Sequence, residues 1–179
     1  MNSAHKLGHA MRQQHDAERM AQTMLAMGAR TAFVTMATGL STYKVRAWNR
    51  IVTGRKASQG PVPYHAASII RTRIAQVRAS LFGALAAQAD AMKTREFSPE
   101  LVIRAYERYL SLAPDHRALS INDALVIVRD LRNGSAVLEW CERCQVQYLD
   151  MADSHLRGCP ICALYAVAPP GSRQRRFGR

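Results

Sequence analysis

The stretch CERCQVQYLDMADSHLRGCPIC, residues 141–162, holds all four cysteines of the chain as Cys141-x2-Cys144, fourteen intervening residues, and Cys159-x2-Cys162. Two CxxC knuckles at this separation are the pattern of a four-cysteine zinc site. Each knuckle turns tightly enough for both sulfurs to face one metal, and the residues between form a hairpin or loop that closes on itself. Four thiolates fill a tetrahedron, leaving no position for water, so the pattern predicts one structural Zn2+ rather than metal-assisted hydrolysis. Two disulfides would need an oxidising compartment. A redox CxxC usually occurs singly beside a βαβ unit, and an iron–sulfur cluster is the less common use of paired knuckles. His155 lies between the knuckles, but four cysteines suffice without it. Zinc ribbons of this kind serve DNA, RNA, protein contacts and stability alike.

Upstream of the cysteines the chain reads as mainly α. Val137–Trp140 is a short β-like run leading into the first knuckle. Ser120-Ile-Asn-Asp123 resembles a capping box ahead of an apolar run, and Gly134 supplies a stop. Ser98-Pro99-Glu100 opens another helix, to about Leu112, where Pro114 ends it. Ile70, Ile74, Val77, Leu81 and Leu85 recur at three and four residues and predict one long amphipathic helix over 64–92. The segment GRKASQGPVP, residues 54–63, is a loop. Before it, Ala29–Thr38 and a helix from Ser41 to about Val52 flank Gly39, the spacing of a helix-turn-helix over 29–53. Val45 and Trp48 fall on the inner side of that second helix. Thr42, Tyr43, Lys44, Arg46 and Arg50 fall outside, and Arg55 and Lys56 follow at once. These residue types suit phosphates and base edges. Asp16–Met27 carries helical spacing, whereas residues 1–15 read as a polar, solvated start.

The expected organisation is thus a polar segment 1–15, a helical domain 16–136, a four-cysteine region 137–168 and a basic, disordered tail 169–179, whose Arg173, Arg175 and Arg176 are further candidate DNA contacts. The chain has 179 residues, with 25 Lys+Arg against 13 Asp+Glu, a net charge of +12. Residues 1–60 carry +7, residues 61–140 carry +2 and residues 141–179 carry +3, so the excess collects around the two motifs. A positive excess of this size points first to nucleic acid, then to an anionic membrane surface or plain solubility. The chain has no apolar run long enough to span a membrane and no secretory h-region, so it is expected in the cytoplasm. Catalysis finds no support: no Ser-His-Asp or Cys-His set can be argued, and no phosphate loop or HExxH is present. His5, His9 and His15 belong to the polar start.

From about Asp16 to Cys162 the chain resembles the FlhC family, the zinc-containing subunit of the bacterial flagellar master transcription activator, with relatives on conjugative elements. The resemblance is carried by Met27-Gly-Ala-Arg30, Thr38-Gly-Leu-Ser41, Gly54…Gly60-x-x-Pro63, Val102-Ile-x-Ala-Tyr106-x-x-Tyr109-Leu110, Ala124…Val128-Arg129, Gly134 and the four cysteines, in that order. It implies double-stranded promoter DNA as ligand, an FlhD-like partner subunit in a hetero-oligomer, and recruitment of bacterial RNA polymerase. It also implies zinc on Cys141, Cys144, Cys159 and Cys162. The loop Arg55–Gln59 is more basic than expected of the flagellar form, and the first knuckle reads Cys-Glu-Arg-Cys. Conjugative-transfer promoters therefore join flagellar ones as expected targets. The residues alone leave a second reading, a zinc-ribbon RNA- or protein-interaction factor without promoter specificity.

Overall fold

The first helix begins at Ser3 and continues through Gly8 and three histidines. The computed structural model describes residues 3–57, 63–91, 97–113 and 119–166. Helix α1 spans Ser3–Ala26. From Ser3 onward, the segment expected as a polar, solvated start is the outer half of this helix. Ala, Leu, Met, Arg and Gln favour the helical state there, and Gln14 donates to the Glu18 carboxylate one turn on at 3.2 Å. His9 and His15 are exposed on it, as expected. The inner half buries Ala21, Met24 and Leu25.

Helices α2 (Thr31–Thr38) and α3 (Thr42–Thr53) follow. Gly39 between them sits at φ 68°, a conformation that strains any residue with a Cβ. Ser41 caps α3 by accepting a hydrogen bond from the Lys44 N–H at 3.3 Å. Helices α1, α2 and α3 pack on one another in all three pairings, the arrangement that the 29–53 spacing predicts for its part. Helix α2 buries Phe33 and Val34, and α3 buries Val45 and Asn49.

The single helix expected over 64–92 is two. Helix α4 covers Ala66–Ile69, and α5 covers Arg73–Gln88. Ile70 and Thr72 are both extended, and the Thr72 hydroxyl caps α5 by accepting from the Ala75 N–H at 3.1 Å. The N-terminus of α4 is held by Asp130, a buried carboxylate that accepts from the Ala66 N–H at 2.7 Å. A capping threonine and a tethered N-terminus outweigh the apolar period.

Helices α6 (Pro99–Leu112) and α7 (Ile121–Asn133) begin and end where the caps place them. Ser98 and Pro99 open the first, and the Ser120–Asp123 capping box opens the second, which stops at Gly134. Phe82, Tyr106 and Tyr109 pack edge-to-face or stacked at the centre. The Tyr106 hydroxyl donates to the Leu119 carbonyl at 2.8 Å, and the Leu119 N–H donates to the Tyr109 hydroxyl at 3.1 Å. These two bonds tie the end of α6 to the start of α7.

The chain then forms an antiparallel hairpin, β1 (Ala136–Cys141) and β2 (Val146–Met151), with Leu138 opposite Leu149. The first knuckle is its turn. Helix α8 (Pro160–Ala166) follows the second knuckle.

Candidate functional site

The turn after Cys141 places Gln145 at φ 56°, and its N–H closes on the Cys141 carbonyl at 2.8 Å. Gly158, at φ 73°, turns the chain into the second knuckle. These two reversals bring the four sulfurs within 4.8 Å of one another. Cys141 and Cys162 Sγ are 3.7 Å apart, and Cys144 and Cys159 Sγ are 3.5 Å apart. Four sulfurs each about 2.3 Å from one tetrahedral zinc would stand about 3.8 Å apart. The donor set therefore has the dimensions of one zinc-sized ion. The Cys141 thiol is drawn down to about 7, chiefly by the backbone N–H of Cys144. The Cys144 thiol is pushed up to about 12, first by desolvation and then by the neighbouring thiols. Four crowded sulfurs resist full deprotonation unless a cation shares their charge. His155 is exposed and outside the cluster.

A row of polar side chains on α5 grips this module. The Leu149 N–H donates to the Ser80 hydroxyl at 2.8 Å. The fully buried Gln76 amide donates to the carbonyls of Leu149 at 2.9 Å, Leu156 at 3.3 Å and Gly158 at 3.4 Å. Arg73 holds the Gln76 side-chain oxygen at 2.9 Å and reaches the Gly158 carbonyl at 3.3 Å. The buried edge of β2 is thus satisfied by side chains rather than by a third strand. Gly83 allows the close approach, since a Cβ there would stand 3.2 Å from Leu138.

Gln76, Ser80 and Gly83 face the hairpin, so the apolar row Ile74, Val77 and Leu81 faces outward. Ile74 is 54% exposed. With Trp140, Tyr148 and Ile161, the residues Val77 and Leu81 line a groove of about 430 Å³. Of the period Ile70, Ile74, Val77, Leu81 and Leu85, the first and last are buried in the core, whereas Ile74 and Leu81 are exposed and Val77 is half-buried. The signal for the hairpin-facing side was present in Gln76 and Ser80, uncharged polar residues one helical turn apart on the same helix face.

At the other end of the molecule, the candidate DNA-contacting residues of α3 divide. Thr42, Tyr43, Arg46 and Arg50 are exposed, with Tyr43 at 86%. Val45 is buried and Trp48 half-buried, as the spacing predicts. Lys44 is set apart from the others. Its ammonium is hydrogen-bonded to the Glu18 carboxylate of α1 and lies 5.1 Å over the Trp48 ring. That bond also holds the Glu18 carboxyl below its ordinary value of 4.5, with Gln14 adding to the effect. Arg55 and Lys56 are exposed on the loop after α3, whose path is fixed by the buried Asn49 amide donating to the Arg55 carbonyl at 2.9 Å. Arg173, Arg175 and Arg176 lie outside the described residues.

Sequence reading missed two anchors of this three-helix unit, Glu18 and Asn122. The Asn122 side chain accepts from the Arg30 N–H at 2.8 Å and donates to the Gly28 carbonyl at 3.0 Å, fastening the α1–α2 turn to α7. A single amide in a capped helix start carries no sequence signature of such a role.

The family model described as "Flagellar transcriptional activator (FlhC)" matches residues 8–176. The chain belongs to the FlhC family. That match takes in the three-helix unit, the α5 grip and the four cysteines together, so in this FlhC-family chain both candidate sites lie within the matched region. The family is one of transcriptional activators rather than enzymes. No curated protein sequence matches the chain. Among the described residues, no helix is long and apolar enough to cross a membrane.

Proposed function

We propose that this FlhC-family chain is the DNA-binding subunit of a transcription activator. It acts in a hetero-oligomer with an FlhD-like partner and recruits bacterial RNA polymerase at flagellar or conjugative-transfer promoters. The observation that carries the DNA-binding part is the open face of α3. Arg46 and Arg50 stand on it without a described side-chain partner, beside Tyr43 and next to the basic loop of Arg55 and Lys56. Helix α3 follows a glycine turn and rests on α1 and α2, which is how a recognition helix is presented to the major groove.

The metal in this reading is one structural zinc held by Cys141, Cys144, Cys159 and Cys162. It closes the hairpin and keeps Trp140 against the α5 groove. The groove of Val77, Leu81 and Trp140 with the neighbouring Ile74 is the surface assigned to the FlhD-like partner, because Ile74, Leu81 and Trp140 are exposed apolar side chains. Cys144→Ser is expected to lose the metal and DNA binding together.

The test is co-expression with an FlhD-like subunit, followed by gel shifts of the purified complex on promoter DNA, random DNA and RNA. Preferential retention of promoter DNA supports the activator. Equal or stronger retention of RNA would favour the zinc-ribbon RNA- or protein-interaction factor instead.

A further inference from the structure

The open face of α3 is small and chemically uneven. Tyr43, Arg46, Ala47 and Arg50 line one shallow concavity of about 390 Å³. All four are exposed. Neither guanidinium has an acidic or hydrogen-bonding partner among the described residues. Lys44, the remaining cation on the helix, is turned away and neutralised by Glu18. The face therefore offers two planar five-donor forks and one methyl group between them, with no competing charge on the same helix.

Arginine forks match the two acceptors that guanine shows in the major groove, and a small apolar side chain matches the thymine methyl. Four helical residues rise about 6 Å, close to two base-pair steps of about 3.4 Å each. We propose that Arg46 and Arg50 read two guanines separated by one base pair, with Ala47 against the methyl group of a thymine in the pair between them. Tyr43, at the edge of the concavity, stands toward the phosphates. Lys44 supports the helix and reads nothing. This assignment rests on the placing of α3 in the major groove.

The experiment is selection from a randomised duplex library by the full chain in complex with its partner, for the wild type, Arg46→Ala, Arg46→Lys, Arg50→Ala and Lys44→Ala. Both arginines are exposed, and unchanged metal content and helical circular dichroism check that each variant folds. The wild type should select two guanines with one position between them, that position enriched in A·T pairs. Arg46→Ala should lose one guanine and Arg50→Ala the other, each lowering discrimination at its position by roughly 5- to 150-fold. Arg46→Lys keeps the charge but not the fork, so it should relax the same position while retaining most affinity. Lys44→Ala should select the wild-type sequence.

Uniform weakening by the arginine variants with an unchanged selected sequence would overturn the base-reading assignment and leave DNA binding through α3 intact. Unchanged affinity and sequence in an Arg46→Ala/Arg50→Ala double variant would remove α3 from the DNA altogether. Absence of duplex binding by the wild-type complex would overturn the proposed function as well.

Discussion

Gln76 shows how much one side chain can decide in this molecule. It is fully buried, and its amide meets carbonyls from β2 and from both sides of the turn into the second knuckle. A buried acceptor that loses its donor costs about 1–3 kcal/mol. Gln76→Leu conserves much of the volume but leaves the Leu149 and Leu156 carbonyls without their amide donor. It is therefore expected to destabilise the metal-loaded protein by about 1–3 kcal/mol, read as a lower urea midpoint. A midpoint equal to wild type would mean that water replaces the amide without cost. The cysteines stand at the opposite extreme of legibility. Their spacing alone announces a metal site, whereas Gln76 looks like one more polar residue of an amphipathic helix until the hairpin is laid against it.

At the level of elements, α3 is positioned by bonds made outside its own sequence. Ser41 and Gly39 shape its start locally, but Lys44 reaches across to Glu18 on α1. Glu18 is held below its ordinary value of 4.5 in the folded chain by that bond. A carboxyl with a depressed folded pKa stabilises the fold above its unfolded value, and loses that contribution as pH falls through the folded one. The α1–α3 tie should accordingly hold at neutral pH and fail only below about 4.5, the usual carboxylate range. In a carboxylate NMR titration the Glu18 midpoint should lie under 4.5 in the wild type and rise in Lys44→Met. An identical midpoint in both proteins would show that the two side chains do not pair in solution. The break between α4 and α5 belongs to this scale too: the apolar period ran through residues 64–92, but Thr72 and the Asp130 tether divided it.

Across the whole molecule, the positive charge is unevenly distributed. The described part of the C-terminal region, residues 136–166, carries Glu139, Glu142, Asp150 and Asp153 against Arg143 and Arg157. Arg157 is occupied by the Met151 carbonyl at 3.1 Å and by Asp150 at 3.5 Å. The positive excess of residues 141–179 thus resides in the arginines from Arg173 onward, and the metal module itself is not a cationic surface. Phosphate contacts are assigned to α3 and its following loop. Counterion release then makes binding steeply salt-dependent. Affinity of the complex for its promoter should fall by orders of magnitude between low and moderate salt, with Arg55→Ala and Lys56→Ala each reducing the slope by about one. A flat salt response would contradict this electrostatic footprint.

Local chemistry determined what could be read from the sequence by itself. Caps at Ser41, Ser98 and Ser120, stops at Gly39 and Gly134, and the cysteine spacing each depend on neighbours within a few residues or on a fixed ligand count. Helix type, most boundaries and the metal site were therefore legible in one dimension. The tertiary structure alone decided which face of α5 is buried, which cation of α3 is withdrawn, and what holds the hairpin to the helical body. Those outcomes rest on partners 26 residues apart for Lys44 and Glu18 and 73 apart for Gln76 and Leu149. The amphipathic period is blind to such pairs, because it records where apolar residues recur and not which buried backbone groups need a donor.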